Sequence, residues 1–564
     1  MDDRENIILT FKSICMKNTF RWMALLALLV VGACENNGYD SDDGVATITA
    51  DGISQYIKSL ASDELEGRRP FTSGEKKTLD YLEGQFKALG LEPGNGTSYL
   101  QEVPMVEIVP DADTVMTVKG AKKNMKLSGF KDYVLWSQRT DTLLNWKDEE
   151  LVFAGFGVVA PEYQWNDYKD LDVKGKIVLV LVNDPGFGGN DTTFFKGNTM
   201  TYYGRWTYKF EEAARQGAKG CLVIHNTVPA GYGFWVVQNS WNAPHLYLDP
   251  RGKNDYFCEG VGWTSMPATE KLFEASGFDF NEWQTKARQR GFKGFSLKSK
   301  ISTKIKFKST YNKSYNAVAK ITGSEKPNEF IIYSAHWDHF GIAKPNAAGD
   351  SIYNGAVDNA GGVATMLEIA KGFKSLKHPP KRSILFLAVT AEEQGLWGSA
   401  YYARNPIYPA DKTVANINID FTNVIGKMKD VTVIGLGQSE LDDYLRTEAT
   451  KQGRYLAPDP NPVAGMYFRS DHFNFAKVGI PALFVGNGVD HIGKGKEFGK
   501  AQEAEYTKDR YHQPTDEFNP NWDLSGAAEN AQLLFQVGKR LSFEDAWPQW
   551  KPSSEFKSLR QPKK

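Results

Sequence analysis

Ser383-Ile384-Leu385-Phe386-Leu387-Ala388-Val389-Thr390-Ala391-Glu392-Glu393-Gln394-Gly395 is the stretch whose reading decides the fold. Ile384 to Val389 is wholly apolar, bounded by polar residues and short. Such a run reads as a strand buried on both faces, as in a parallel sheet. It delivers two adjacent acids, Glu392 and Glu393, onto a loop that Gly395 closes. Neighbouring side chains diverge, so one acid can ligate a metal while the other stays free to handle protons. A solvated acidic loop is the ordinary alternative, and the apolar run directly before it counts against that.

The same grammar recurs outward. Phe330 to Ala335 reads as a strand delivering His336, Val414 to Ile419 as one delivering Asp420, and Ile480 to Val485 as a further strand. Val363 to Phe373 and Leu524 to Leu541 read as helices. The fold class is therefore α/β, with a mixed, mostly parallel sheet flanked by helices. In such sheets ligands bind beyond the carboxyl ends of the strands, where these residues sit.

Three more segments complete a constellation. In Ala335-His336-Trp337-Asp338-His339 the imidazole of His336 is a candidate zinc ligand, and a carboxylate two residues on can hold its other ring nitrogen. In Ala356-Val357-Asp358-Asn359-Ala360-Gly361-Gly362 the glycines admit close backbone approach. Asp358 there can bridge two cations or simply cap a helix. Tyr511-His512-Gln513-Pro514-Thr515-Asp516 adds a late histidine held by a Pro turn. Each has a structural reading alone. Together His336, Asp358, Glu393, Asp420 and His512 form a donor set that suits zinc.

These ordered segments resemble those of the family-28 metallopeptidases, the group of bacterial leucyl aminopeptidases and yeast aminopeptidase Y, over residues 50–130 and 310–545. The resemblance implies a zinc exopeptidase fold and two zinc ions per chain. It implies that His336 and Asp420 hold one ion, that Glu393 and His512 hold the other, and that Asp358 bridges them. Glu392 matches the general base and Asp338 the acid that orients the first histidine. A cis peptide is expected after Asp358, and Ser470-Asp471-His472 matches a cleft-lining segment without a metal role. The implied activity is hydrolysis of the N-terminal peptide bond of peptides by a metal-bridging hydroxide. A carboxypeptidase or a glutaminyl cyclase on the same fold are the alternatives. For the first, Arg469 in Met466-Tyr467-Phe468-Arg469 is suggestive as a contact for a substrate carboxylate, or is an ordinary surface pair. A non-catalytic, receptor-like relative is disfavoured because every matched position carries a competent residue.

The rest of the chain frames this domain. Residues 51–134 open it, with helical patterns at Ile53, Tyr56, Ile57 and Leu60 and again from Lys76 to Leu89, where Gly90 serves as a C-cap. Residues 135–290 have another texture, with strands at Gly175–Val182 and Gly220–Ile224 and a helix at Phe210–Gln216. They resemble the β-rich protease-associated domain that many exopeptidases carry as an insertion, which implies a lid or wall for the cleft. Residues 291–545 are the main part of the peptidase domain, and 546–564 read as a basic tail.

At the front, Lys17 and Arg21 precede an apolar run, Trp22 to Ala33, too short to span a bilayer comfortably. Val31-Gly32-Ala33-Cys34 resembles a lipoprotein box, so residues 1–34 are expected to be a signal peptide, with lipid on Cys34 as the membrane link, and 35–50 a tether. Met16 opens a signal of ordinary length. The expected location is the bacterial cell envelope. A formal charge of −1 over 564 residues argues against nucleic acid as a partner, since that binding runs on released counterions. The four cysteines contain no CxxC pair, and a Cys221–Cys258 bridge is chemically allowed outside the cytoplasm.

Overall fold

The computed structural model describes residues 44–239, 244–252 and 256–560. The expected signal segment and Cys34 lie outside the described residues. The strand Arg382–Val389 is buried along its whole length. It runs parallel to Lys326–His336, with Ile331 opposite Ile384 and His336 opposite Val389. That strand is parallel in turn to Thr413–Asn418, and Thr413–Asn418 to Ala482–Gly486. Antiparallel strands close both sides: Phe295–Ile321 beside Arg382–Val389, and Asp430–Val433 beside Ala482–Gly486.

Strand geometry sends alternate side chains to opposite faces. Ile331, Tyr333, Ile384 and Phe386 enter one core with helices Ala50–Leu60, Gly361–Lys374 and Ser525–Phe543. Phe330, Ile332, Leu385 and Leu387 enter the other, against Tyr402 and Phe475 from helices Trp397–Arg404 and His472–Lys477. Both faces are thus dry, and the unbroken apolar run is the direct consequence. Tyr333 donates its hydroxyl to the Leu534 carbonyl at 2.8 Å, so the buried polar atom is satisfied where the closing helix crosses the sheet.

A long ribbon ties on the inserted unit. Phe295–Ile321 pairs antiparallel with Leu100–Ala112 from Ala317↔Leu100 to Ile305↔Ala112. Its far end then pairs with Leu143–Phe153. From there Ile177–Leu181, Gly220–Ile224 and Gly260–Thr264 add parallel neighbours. Expected as β-rich, this unit is mixed, with helices Trp206–Arg215 and Met266–Ser276. Its apolar core draws on residues from Val106 to Phe307, reaching past 135–290 on both sides because the ribbon strands serve both units. Cys221 and Cys258 are buried free thiols, and burial pushes both upward in pKa.

Both expected loose ends are shorter than their sequence suggests. The tether reading fails by Gly44: Ile48 is buried, and the Thr49 side chain accepts from Gly52 N at 3.1 Å to cap the first long helix. The tail reading fails because Trp550 and Phe556 are buried among Tyr467 and Phe473, and Arg560 donates to the Thr413 carbonyl at 2.9 Å. Two aromatic side chains outweigh the basic residues around them. Trp550→Ala should cost about 3–5 kcal/mol of stability, as for other buried tryptophans. A thermal melt unchanged from the parent would show the segment to be undocked in solution.

Candidate metal centre

His336 ends one parallel strand, and Asp420 follows two residues after the next, Thr413–Asn418. Glu392 and Glu393 follow Arg382–Val389 through Ala391, whose φ of +52° turns the chain sharply. Asp358 lies at the mouth of helix Gly361–Lys374, and its peptide bond to Asn359 is cis. Close approach makes glycine necessary here, since a Cβ on Gly361 would sit 1.9 Å from Thr422 Oγ1. His512 comes from the loop after helix Gly495–Asp509, with a left-handed φ of +58°. Non-glycine residues in that region carry about 1–3 kcal/mol of strain and cluster at functional sites.

The five residues expected as ligands converge. His336 Nε2 lies 3.0 Å from Asp420 Oδ1 and 3.2 Å from Asp358 Oδ1. His512 Nε2 lies 3.3 Å from Asp358 Oδ2 and 3.2 Å from Glu393 Oε2. Donor atoms about 2.0–2.2 Å from one zinc at tetrahedral angles stand about 3.3 Å from each other. The separations therefore fit two ions sharing Asp358, one oxygen each. Glu392 also reaches the cluster, with a carboxylate oxygen within 4.8 Å of donor atoms of His336 and Glu393. The side chain of His512 is 35% exposed whereas that of His336 is 1% exposed, so the centre opens on the His512 side.

Electrostatics in the cluster call for added positive charge. Burial favours neutral imidazole, yet the surrounding acids win: His512 is pushed up to about 9, chiefly by Glu393 and Asp358, and His336 is raised well above its ordinary value by Asp420 and Glu392. Burial alone would lift Asp358, but hydrogen bonds with His336 and His512 hold it well below the usual carboxylate range. Burial lifts Glu392 well above its ordinary value, with Asp420 and Glu393 adding to the rise. Hard and borderline donors with this excess of negative charge fit zinc.

An outer layer fixes the donors. Asp338 does so differently from expectation. Its carboxylate Oδ1 stands 3.9 Å from His336 Nδ1, beyond hydrogen-bond reach, and Nδ1 instead meets the Asp338 backbone carbonyl at 3.2 Å. The carboxylate accepts from Glu392 N at 3.0 Å and so pins the Glu392 loop. His339, given no role by its sequence context, has Nδ1 2.5 Å from Glu393 Oε1. At that distance it is a hydrogen-bond partner that orients Glu393, too close to share an ion with it. Asp516 accepts from the N–H groups of Val357 and Asp358. Arg68 is buried and donates to the carbonyls of Trp337, Asn354 and Gly355, which locks the His336 and Asp358 segments together. Hydrogen bonds run in one direction from Asn416 to Ser334, Asn418 and Ser470, ending on Asp420 Oδ2 at 2.5 Å.

The sequence model of Peptidase family M28 matches residues 316–536. A probable zinc metalloprotease from Pyrenophora teres f. teres (strain 0-1) is 34% identical over 154 residues, and one from Pyrenophora tritici-repentis (strain Pt-1C-BFP) is 33% identical over 154 residues. The match covers 27% of this chain, and the chain spans 28% of the length of each of these relatives. Among solved structures, an aminopeptidase from Aneurinibacillus sp. strain AM-1 is 19% identical, with 90% of this chain and 96% of that one covered at a TM-score of 0.48.

The Ser470 hydroxyl is the last link to Asp420. Ser470→Ala should weaken metal binding at the His336–Asp420 site by about 10–100-fold, the usual effect of removing such a partner. Chelator competition that reads unchanged affinity at both sites would remove the chain of hydrogen bonds from the account.

Proposed function

We propose that this chain, whose residues 316–536 match the sequence model of Peptidase family M28, is an exported exopeptidase that uses two zinc ions to release the N-terminal residue of peptides. The observation that carries the reading is the two-sided placement of Asp358, with one oxygen 3.2 Å from His336 Nε2 and the other 3.3 Å from His512 Nε2. His336 and Asp420 would hold one ion, Glu393 and His512 the other, and Asp358 both. Bound there, the ions would polarise a substrate carbonyl and lower the pKa of a shared water.

The chain's own residues supply the proton traffic. Glu392 sits beside the donor set without being needed in it, because Glu393 already fills the ligand position. Its backbone N–H is fixed on Asp338 Oδ1, which keeps the carboxyl aimed at the centre. Glu392 takes the proton of the attacking water and returns it to the amine nitrogen as the C–N bond breaks. Burial that raises the carboxyl's pKa brings it toward the range a base-then-acid needs at neutral pH. Phe340 and Tyr511 pack on the His512 ring and form an apolar wall beside it.

Family resemblance in the motifs supports the aminopeptidase assignment over the carboxypeptidase. The Lys17–Cys34 pattern supports export and a lipid anchor in the bacterial envelope. Glu392→Gln should keep both metals and lose at least a hundredfold in kcat on aminoacyl chromogenic substrates, in line with the worth of general-base catalysis. Near-normal turnover would show the base to be another group. His512→Ala should leave one zinc per chain by elemental analysis, and two would contradict the ligand set. Cleavage of N-blocked peptides in preference to free ones would overturn the aminopeptidase reading.

A further inference from the structure

The turn that carries the two adjacent acids is held from outside its own segment. Glu392 is tied through both of its backbone polar groups. Its N–H donates to Asp338 Oδ1 at 3.0 Å, and its carbonyl accepts from Gly395 N and Leu396 N, each at 2.9 Å. The turn then closes on itself, with Trp397 N on the Ala391 carbonyl at 3.1 Å and Gly398 N on the Thr390 carbonyl at 2.9 Å. Ala391 and Leu396 within it are left-handed, with φ of +52° and +62°. Non-glycine residues keep such angles only where their surroundings over-determine them. The carboxyl of Glu392 therefore points where this turn puts it.

Two clamps hold the turn. At its base, buried Asn316 of the ribbon accepts from Thr390 N at 3.0 Å and donates its side-chain amide to the Gly398 carbonyl at 3.0 Å. At its tip, Trp397 donates its indole N–H to the Gln394 carbonyl at 2.7 Å. The indole lies against Gly395, where the φ is +128° and a Cβ would sit 3.1 Å from Trp397 Nε1.

The tip clamp has its footing in the inserted unit. Tyr247, in strand His245–Leu248, meets the Trp397 ring edge-on, with 5.6 Å between centroids and 62° between planes. Pairs of this geometry attract beyond their burial. Tyr247 is itself buried, and its strand is fixed antiparallel on the ribbon partner, Tyr247 opposite Val106. Its neighbour Leu246 joins Val103, Met105 and Ala391 in a small apolar cluster, against which Trp397 also packs. Ala391, the residue directly before Glu392, is thus seated on the inserted unit as well.

We propose that Trp397 is a positioning residue for Glu392, and that the inserted unit, through Tyr247 and Leu246, sets the aim of the base. The inference rests on the reading of Glu392 as general base. It gives the inserted unit a part in the proton transfer, apart from any part as a wall of the cleft. A base must come within about 2.6–3.2 Å of the group whose proton it takes. A misplacement of about 1 Å can cost a hundredfold in rate. A turn with two left-handed residues drifts that far once its tip is released, because its own hydrogen bonds leave the Gln394 carbonyl and the Gly395 face to the indole.

The test compares zinc-loaded parent protein with Trp397→Phe, which keeps a ring against Tyr247 and removes the N–H. On aminoacyl chromogenic substrates kcat should fall about tenfold while KM stays within about twofold and zinc content equals the parent's. In the Glu392→Gln background the same substitution should change kcat by less than about twofold, because it acts through Glu392. An equal loss in both backgrounds, a loss that follows lost zinc, or no loss in the parent background overturns the positioning role. Hydrogen exchange read by mass spectrometry on the zinc-loaded proteins needs no turnover. Residues 390–398 should exchange about tenfold faster in Trp397→Phe and in Tyr247→Leu, with Leu100–Ala112 unchanged. Unchanged exchange at 390–398 overturns the clamp. Tyr247→Leu leaves the residues of the turn intact, so it carries both readouts if Trp397→Phe does not fold. Absence of any cleavage by the parent protein would strike the peptidase reading, and the exchange comparison would still decide whether the inserted unit holds the turn.

Discussion

Asp358 is the point on which the rest depends. One carboxylate faces His336 with one oxygen and His512 with the other, inside a nest that also holds Glu392, Glu393 and Asp420. Mutual repulsion among buried acids would scatter them, and the acids answer by drawing both imidazoles toward their charged forms. Two divalent cations held by these donors would satisfy the same demand. The scaffold's work is to hold the acids together whatever occupies the space between them.

That work is done by rigid neighbours. Parallel strands buried on both faces end at the site, so the donors start from fixed positions. Arg68 stitches the His336 and Asp358 segments through their carbonyls, and Asp516 holds the Asp358 backbone from the other side. His339 and Ser470 each occupy one oxygen of a candidate ligand carboxylate, Glu393 and Asp420, and leave the other free for the centre. The ribbon Phe295–Ile321 ties the inserted unit to the peptidase domain through its long pairing with Leu100–Ala112.

Much of this was legible in the chain. Glu392-Glu393, His336 and Asp420 could be read because each follows a short apolar run whose burial is a local property of the sequence. The helix at Gly361–Lys374 and the closing helix Ser525–Phe543 follow from apolar spacing alone. What could not be read depends on partners distant in sequence. His339 gains its role from Glu393, and Arg68 from carbonyls some 270 residues away. Asp338 was read as a carboxylate for the imidazole, but its backbone carbonyl sits nearer and frees the side chain for Glu392. The ribbon escapes a local reading because Leu100–Ala112 finds its partner about 200 residues on. Trp550 and Phe556 dock a segment whose charges suggested a tail.

The most direct measurement is anomalous diffraction at the zinc edge from crystals grown with zinc. The account predicts two peaks, one within bonding distance of His336 and Asp420, the other of Glu393 and His512, and Asp358 touching both. A single peak, or a pair in which Asp358 contacts only one, would contradict it.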